Sequence, residues 1–285
     1  AQARRLDSPS VHLALILMAW AEGDRDTLRR EGDALLGRPG AEEAILMVRQ
    51  MIALREGAFA EARDLTRAAA DAHLRRDQPE GSGRVQVALA LAEALVGRTS
   101  PARQAADAAL ARSGGKDVMA GVAVARALSG DTAQASRIAA ELDEAFPVHT
   151  VVQRNYLPAI QAAVALQKRR PGEAIEALKA AAPYELGRLG YFMLPVYLRG
   201  EAFLARGEGG AAATEFRKIL DYRGVGLDVV VALARLGLAR ALAAAGDTPA
   251  ALAAYEQFLA LWRDADPDLP VLRAARKEHA ALRGR

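Results

Sequence analysis

Four histidines, His12, His73, His149 and His279, are the side chains of this sequence best suited to hold a metal or move a proton. Zinc and hydrolytic sites need such ligands at short helical spacing, or paired with Cys. These four lie far apart, and there is no cysteine. Disulfides, thiolate metal sites and a thiol nucleophile are thereby removed together. The tripeptide Gly114-Gly115-Lys116 has the Lys of a phosphate loop, but Asp117 stands where Ser or Thr must hold magnesium and Leu110 where the first Gly belongs. It reads as a linker. Gly224 and Gly226 form a lone Gly-x-Gly without a third Gly or a preceding strand, which a turn explains. No Gly-x-Ser-x-Gly elbow occurs, and the acid pairs Glu42-Glu43 and Asp143-Glu144 are adjacent on a helix, so their side chains diverge into solvent. The expectation is a chain with no catalytic, cofactor-binding or metal site, and not an enzyme in its own right.

The elements that would position binding residues are helices. Hydrophobic residues make up 52% of the 285, aromatic residues only 5%, and the apolar share is mostly Ala, Leu and Val. That is the composition of closely packed helices rather than of sandwiches or barrels. The charge is +3, from 38 basic and 35 acidic residues, and Lys occurs only at 116, 168, 179, 218 and 277. So balanced a charge argues against direct nucleic-acid binding. Near the start, Arg4 and Arg5 precede the apolar run Val11 to Trp20, with Ala19 and Ala21 spaced like a cleavage site, as in a secretory signal. The run is too short to span a bilayer. The competing reading makes Ser8 a helix cap, Pro9 the first helical residue and Gly23 the end of that helix. This second reading fits the format of the rest of the chain, and a cytoplasmic protein is expected. The chain begins on Ala1 rather than Met, as a processed or excised piece would.

From Gly23 onward one phrase is repeated: an Ala-rich run, a Gly with an acidic or small residue after it, then a second Ala-rich run, as in AEGDRDTL, LSGDTAQA and AAGDTPAA. The turn positions are Gly23, Gly57, Gly97, Gly130, Arg169, Gly207 and Gly246, spaced by 34, 40, 33, 39, 38 and 39 residues. Gly allows the left-handed conformation that ends a first helix, and Ser or Thr before Pro, as at Ser100-Pro101 and Thr248-Pro249, starts the second. The extra residues of the longer units fall between hairpins, in Arg76 to Gly83, Tyr184 to Gly190 and Arg223 to Leu227. Helical hairpins are predicted at 10–37, 41–75, 84–112, 117–147, 150–183, 190–222 and 228–263, followed by a last helix from Pro270 to Leu282 that caps the open end.

The unit Gly200, Phe203, Gly207, Ala212 and Phe216 resembles the tetratricopeptide signature at five positions, and Pro147 and Pro183 sit near its closing Pro. Gln50 and Ala123 depart from it where the first helix should carry Gly, and Arg169 departs at the turn. The fold expected is all-α, a tetratricopeptide-like α-solenoid of about seven helical hairpins plus a C-terminal capping helix. It divides into divergent hairpins at 1–145 and more regular ones at 146–285 within one continuous solenoid. From Phe146 onward, the segments FPVHTVVQRNYLPAIQAAVALQ, LPVYLRGEAFLARGEGGAAATEFRKIL and ALAAYEQFLALWRDADPDLPVL resemble a bacterial, notably acidobacterial, family. In it, a tetratricopeptide C-terminal region follows a serine/threonine kinase or winged-helix domain. The resemblance implies a signalling protein whose repeats dock partners or regulate the attached domain. Neither a kinase signature nor a winged helix lies in this sequence.

Tetratricopeptide arrays line a concave groove with the first helix of each hairpin, and projecting that pattern here gives Tyr156, Tyr197, Glu201 and Arg240. Arg154, just ahead of Tyr156, would add a charge for an acidic or phosphorylated peptide. Eleven of the fourteen aromatic residues follow residue 150, which concentrates rigid contact area in the same part of the chain. The alternative packs Tyr156 and Tyr197 between repeats and pairs Glu201 with a nearby Arg. The function expected is a non-catalytic protein or peptide scaffold without a membrane span, able to form a homodimer through open solenoid ends. The alternative is the small-molecule-sensing region of a transcription regulator, which requires an enclosed apolar cavity with a few convergent polar groups.

Overall fold

The computed structural model describes residues 8–185, 193–222 and 226–284. All the regular structure in them is helical. Each expected hairpin is present as a pair. The pairs are α1 (Pro9–Glu22) with α2 (Arg25–Asp33), α3 (Glu42–Glu56) with α4 (Phe59–Arg75), and α5 (Pro79–Leu95) with α6 (Thr99–Leu110). They continue as α7 (Lys116–Leu128) with α8 (Thr132–Ala145), α9 (Leu157–Gln167) with α10 (Pro171–Leu178), α11 (Leu194–Ala205) with α12 (Gly209–Leu220), and α13 (Val229–Ala244) with α14 (Thr248–Leu261). The last helix is α15 (Pro270–Arg283). Parts of the connectors at Tyr184 to Gly190 and Arg223 to Leu227, and the basic residues Arg4 and Arg5, lie outside the described residues. No described helix is long and apolar enough to cross a membrane.

All seven predicted turn positions have left-handed backbone, including the non-glycine Arg169 at φ 56°. Helix α14 starts on Thr248 with Pro249 behind it, as expected, and α6 starts on Thr99, one residue ahead of Ser100; the side-chain caps come from other residues. Asp24, Asp131 and Asp247, the residues after the turn Gly, cap α2, α8 and α14 by accepting from a backbone N–H. A carboxylate at a helix N-terminus also meets the positive end of the helix dipole, which a hydroxyl cannot do. Ser8 precedes α1 with Pro9 behind it, although its side chain makes no capping hydrogen bond, and Gly23 closes the helix as the repeat reading requires.

Two boundaries differ from expectation. Helix α5 begins at Pro79, five residues before the predicted start at residue 84, so Gly81 and Gly83 lie inside a helix rather than in a loop. There they allow contact: a Cβ at Gly81 would stand 2.3 Å from the His73 ring, and one at Gly83 2.9 Å from Val118. Before α9 the helix widens into a π turn over Val152–Tyr156. Pro158 has no N–H to bond the Arg154 carbonyl, and its ring would crowd that carbonyl in an ordinary α turn; widening relieves the clash.

The first helices of the hairpins, α3, α5, α7, α9, α11 and α13, form an inner layer in which each touches the next, with α4, α6, α8, α10, α12 and α14 outside them. Among the described helices, packing is mostly between neighbours in sequence. Helix α13 also touches α3, so the inner layer closes into a ring of six helices. Hairpin α1/α2 lies outside the ring, where Ile16 and Leu35 meet Ile45 and Val48 of α3. The buried Phe216 ring lies on Gly200 and Gly237, where a Cβ would come within 2.7 and 2.5 Å of it, so these glycines make room for a large side chain between helices. At the first-helix position where the signature has Gly, Gln50 is fully buried and donates to Thr66 Oγ1 (2.7 Å) and the Val85 carbonyl (2.8 Å), tying the second hairpin to the third.

The ring is latched by the loop between α14 and α15. Trp262, fully buried, donates from Nε1 to the Arg55 carbonyl at 2.8 Å. The Asp266 N–H reaches the Gly57 carbonyl at 3.0 Å. The Asp266 carboxylate accepts from the Ala60 N–H at 3.0 Å, supplying α4 with the cap that Ala58 lacks. Asp268 meets Arg98 at 3.6 Å, and Arg98 and Arg63 flank the buried Glu93. The C-terminal end of the repeat series carries its expected last helix, and the loop ahead of that helix is in addition spent on the second and third hairpins.

Candidate ligand chamber

Closure turns the concave face of the inner layer into a chamber of about 340 Å³. Helix α3 contributes Met47, Met51 and Leu54, at spacings of four and three residues that fall on one helical face. Helix α5 contributes Arg84, Val87, Ala88 and Leu91 in the same way, and Leu194 and the start of α13 complete the wall. The two methionines are unbranched and polarizable, so that side of the wall can adapt to the shape of what it touches. Met47 is 39% exposed, which leaves the chamber reachable from solvent on the α3 side.

One corner is polar. The Tyr156 hydroxyl donates to Asp117 Oδ1 at 2.9 Å, and Lys116 stands 3.6 Å from the same oxygen. Burial first, and then the Asp117 charge, push the Tyr156 phenol above its usual range, so it stays neutral and a donor. Arg84, exposed at the rim, acts in the opposite direction on that phenol. Across the chamber Asp228 caps α13 through the Val230 N–H at 2.9 Å, and burial raises its carboxyl.

The five residues projected from the sequence fall into three places. Tyr156 is in the chamber and 4% exposed, whereas Arg154, on the same π turn, is exposed. Tyr197, Glu201 and Arg240 share a second cluster with α15. Arg240 grips both oxygens of Glu278, at 2.9 and 3.0 Å, and the Tyr255 hydroxyl donates to Glu278 at 3.0 Å. The Tyr197 ring packs edge-on against Phe216 with 5.8 Å between centroids. Burial raises the Glu201 carboxyl, although Arg240 and a hydrogen bond from Tyr197 pull against it. For Glu278 the balance is reversed: despite burial, hydrogen bonds and charge from Arg240, together with Tyr255, hold its carboxyl below the usual range.

Met47, Met51, Arg84, Asp117 and Asp228 are not among the projected residues. The first two could be found by asking which large apolar residues share a face of α3. Asp117 stands out in the sequence only as a mismatch to a phosphate loop. Its role depends on Tyr156, which is 39 residues away.

No family model and no curated protein matches the chain. Among solved structures, it is similar to a chain in the structure described as Naa15/Naa10 bound to HypK-THB, at 15% identity and a TM-score of 0.31. The match covers 96% of this chain and 46% of that one, so this chain spans about half the length of the solved chain it matches.

Proposed function

We propose that this protein is a binding module without chemistry of its own, and that its central chamber takes a small, mostly apolar molecule. The observation that supports this reading is the closed inner ring around a space of about 340 Å³, with apolar walls and one polar corner at Arg84, Asp117 and Tyr156. Ligand pockets have about this size and this balance of surfaces. The resemblance to kinase-linked and winged-helix-linked repeats implies a region that docks partners or regulates an attached domain, and in this reading the module does so as the sensing part of a larger bacterial signalling protein working in the cytoplasm. The test uses the full chain and the neutral fluorescent probe N-phenyl-1-naphthylamine. The wild type should bind it saturably, and Ala88→Trp, which fills the chamber from α5, should lose binding while circular dichroism stays unchanged. Equal binding by the variant would place the probe elsewhere and remove the chamber reading.

A second reading, docking of a protein or peptide, keeps one observation in its favour: the guanidinium of Arg154 projects into solvent beside the buried Tyr156. Reversal of charge at Arg240 would disturb the Glu278 cluster as well as any groove, so Arg154→Glu is the cleaner probe. Unchanged capture of acidic peptides by that variant would exclude Arg154 from docking.

A further inference from the structure

Two arginines, neither of them lining the chamber itself, lie on the two helices whose contact closes its ring. Arg55 lies four residues after Met51 on α3, and Arg235 seven residues after Asp228 on α13; both spacings keep a residue on the same helical face. The two helices touch where the ring closes, and the charge of Arg235 acts on Arg55 across that seam, with both residues about one to two helical turns, at about 5.4 Å per turn, from Met51 and Asp228 of the chamber. The Arg55 guanidinium lies over the Trp20 ring at 5.0 Å, and its Nε is buried without a hydrogen-bond partner. Neither arginine forms an ion pair with a carboxylate among the described residues. The nearest acid in sequence, Glu56, is engaged by Arg25 at 2.7 Å. Burial, and then the charge of Arg235, depress the Arg55 guanidinium below its usual value, and burial does the same at Arg235.

Like charges brought together in a half-buried seam cost stability unless an anion answers them. Most other partly buried arginines of this fold have such an answer in place: Arg63 has Glu93, Arg126 has Asp107 and Asp131, Arg199 has Glu185 and Glu215, and Arg240 has Glu278. We infer that Arg55 and Arg235 hold the anionic head of an amphiphile, a carboxylate or a phosphate, whose aliphatic body lies along Met51, Met47 and the chamber. Guanidinium forks suit both head groups, since each offers paired oxygens to paired N–H donors. The inference rests on the chamber reading and adds the chemical class of its ligand.

The test titrates the full chain with decanoate, decyl phosphate and decanol below their aggregation limits, by calorimetry and by tryptophan emission. Both tryptophans, Trp20 under the Arg55 guanidinium and Trp262 on the Arg55 carbonyl, report on this seam. At least one anion should bind the wild type about tenfold or more tighter than decanol, and the preferred head names the source. Arg235→Gln should weaken that anion about tenfold and leave decanol within about twofold. The variant should melt no lower than the wild type, because it removes a repulsion. Decanol binding as tightly as both anions, or anion binding indifferent to Arg235→Gln, would overturn the head-group inference while leaving the chamber standing. If none of the three ligands binds and N-phenyl-1-naphthylamine does not either, both readings fall.

Discussion

Gly57 and Gly246 have nearly the same backbone, at φ 80° and 85°, and each ends the first helix of a hairpin. Alanine at either must adopt the left-handed conformation, which costs an L-residue about 1–2 kcal/mol. At Gly246 nothing lies within 4 Å of the added methyl, so that is the whole effect. At Gly57 the methyl would come within 2.5 Å of the Ala265 Cβ and 3.2 Å of the Trp262 ring, both from the loop that latches the ring. Crowding a packed contact adds about 1–3 kcal/mol. Gly57→Ala should therefore cost more than Gly246→Ala by that second amount. Adding Ala265→Gly should recover much of the difference, giving a coupling of about 1–3 kcal/mol in a double-mutant cycle. The assay is urea unfolding followed by tryptophan emission, with Trp262 buried against the same glycine. The Ala265→Gly single variant corrects for the effect of glycine in the loop. Equal losses at the two positions, or no coupling with Ala265, would mean that the ends of the repeat series do not meet in solution, and the chamber argument would lose its enclosing wall.

Two further outcomes test the interior. Gln50→Ala removes two hydrogen bonds at a fully buried site, to Thr66 and to a second lone pair of the Val85 carbonyl, so at about 0.5–1.5 kcal/mol each it should cost about 1–3 kcal/mol; a loss below about 0.5 would show that the bridge between the second and third hairpins is dispensable. Glu201 has a carboxyl raised by burial, so the folded state binds its proton more tightly than the unfolded chain does; its contribution is fully present at acid pH and is lost as pH rises above the ordinary glutamate range of about 4.3 through the raised folded value. Glu201→Gln should flatten that decline and raise stability at neutral pH. A wild-type stability that climbs over the same window, with the variant parallel to it, would contradict the assignment.

The repeat series and its turns were legible because they depend on local rules. A left-handed residue must end each first helix, and seven such positions stand at near-regular intervals. The Asp caps were missed because the expectation attached to Ser and Thr before Pro, although Asp24, Asp131 and Asp247 come directly after the turn Gly in the sequence itself. Ring closure was not legible. Trp262 to Arg55 and Asp266 to Ala60 are contacts across more than two hundred residues, and periodicity describes only a unit and its neighbour. The same limit governed the site. Projection onto first helices named Tyr156 for a groove, and the residue lines the chamber, but Tyr197, Glu201 and Arg240 lie where α15 folds back, and no repeat pattern encodes Glu278 as their partner.

Closure and binding draw on the same contact. Arg55 belongs to the second hairpin and Arg235 to the seventh, so an anion held by both connects the two hairpins between which the ring closes. A ligand that prefers the closed ring to any opened form stabilises it by mass action, to a degree set by its concentration relative to its dissociation constant. The latch residues Gly57, Trp262 and Asp266 touch no part of the chamber, yet weakening them must weaken the ligand too, because linkage runs in both directions. Gly57→Ala should therefore reduce anion affinity although its methyl lies on the far side of the Arg55 turn, whereas Gly246→Ala should not. A solenoid that ended openly could not couple a turn glycine to a ligand in this way, since each of its hairpins answers only to its neighbours.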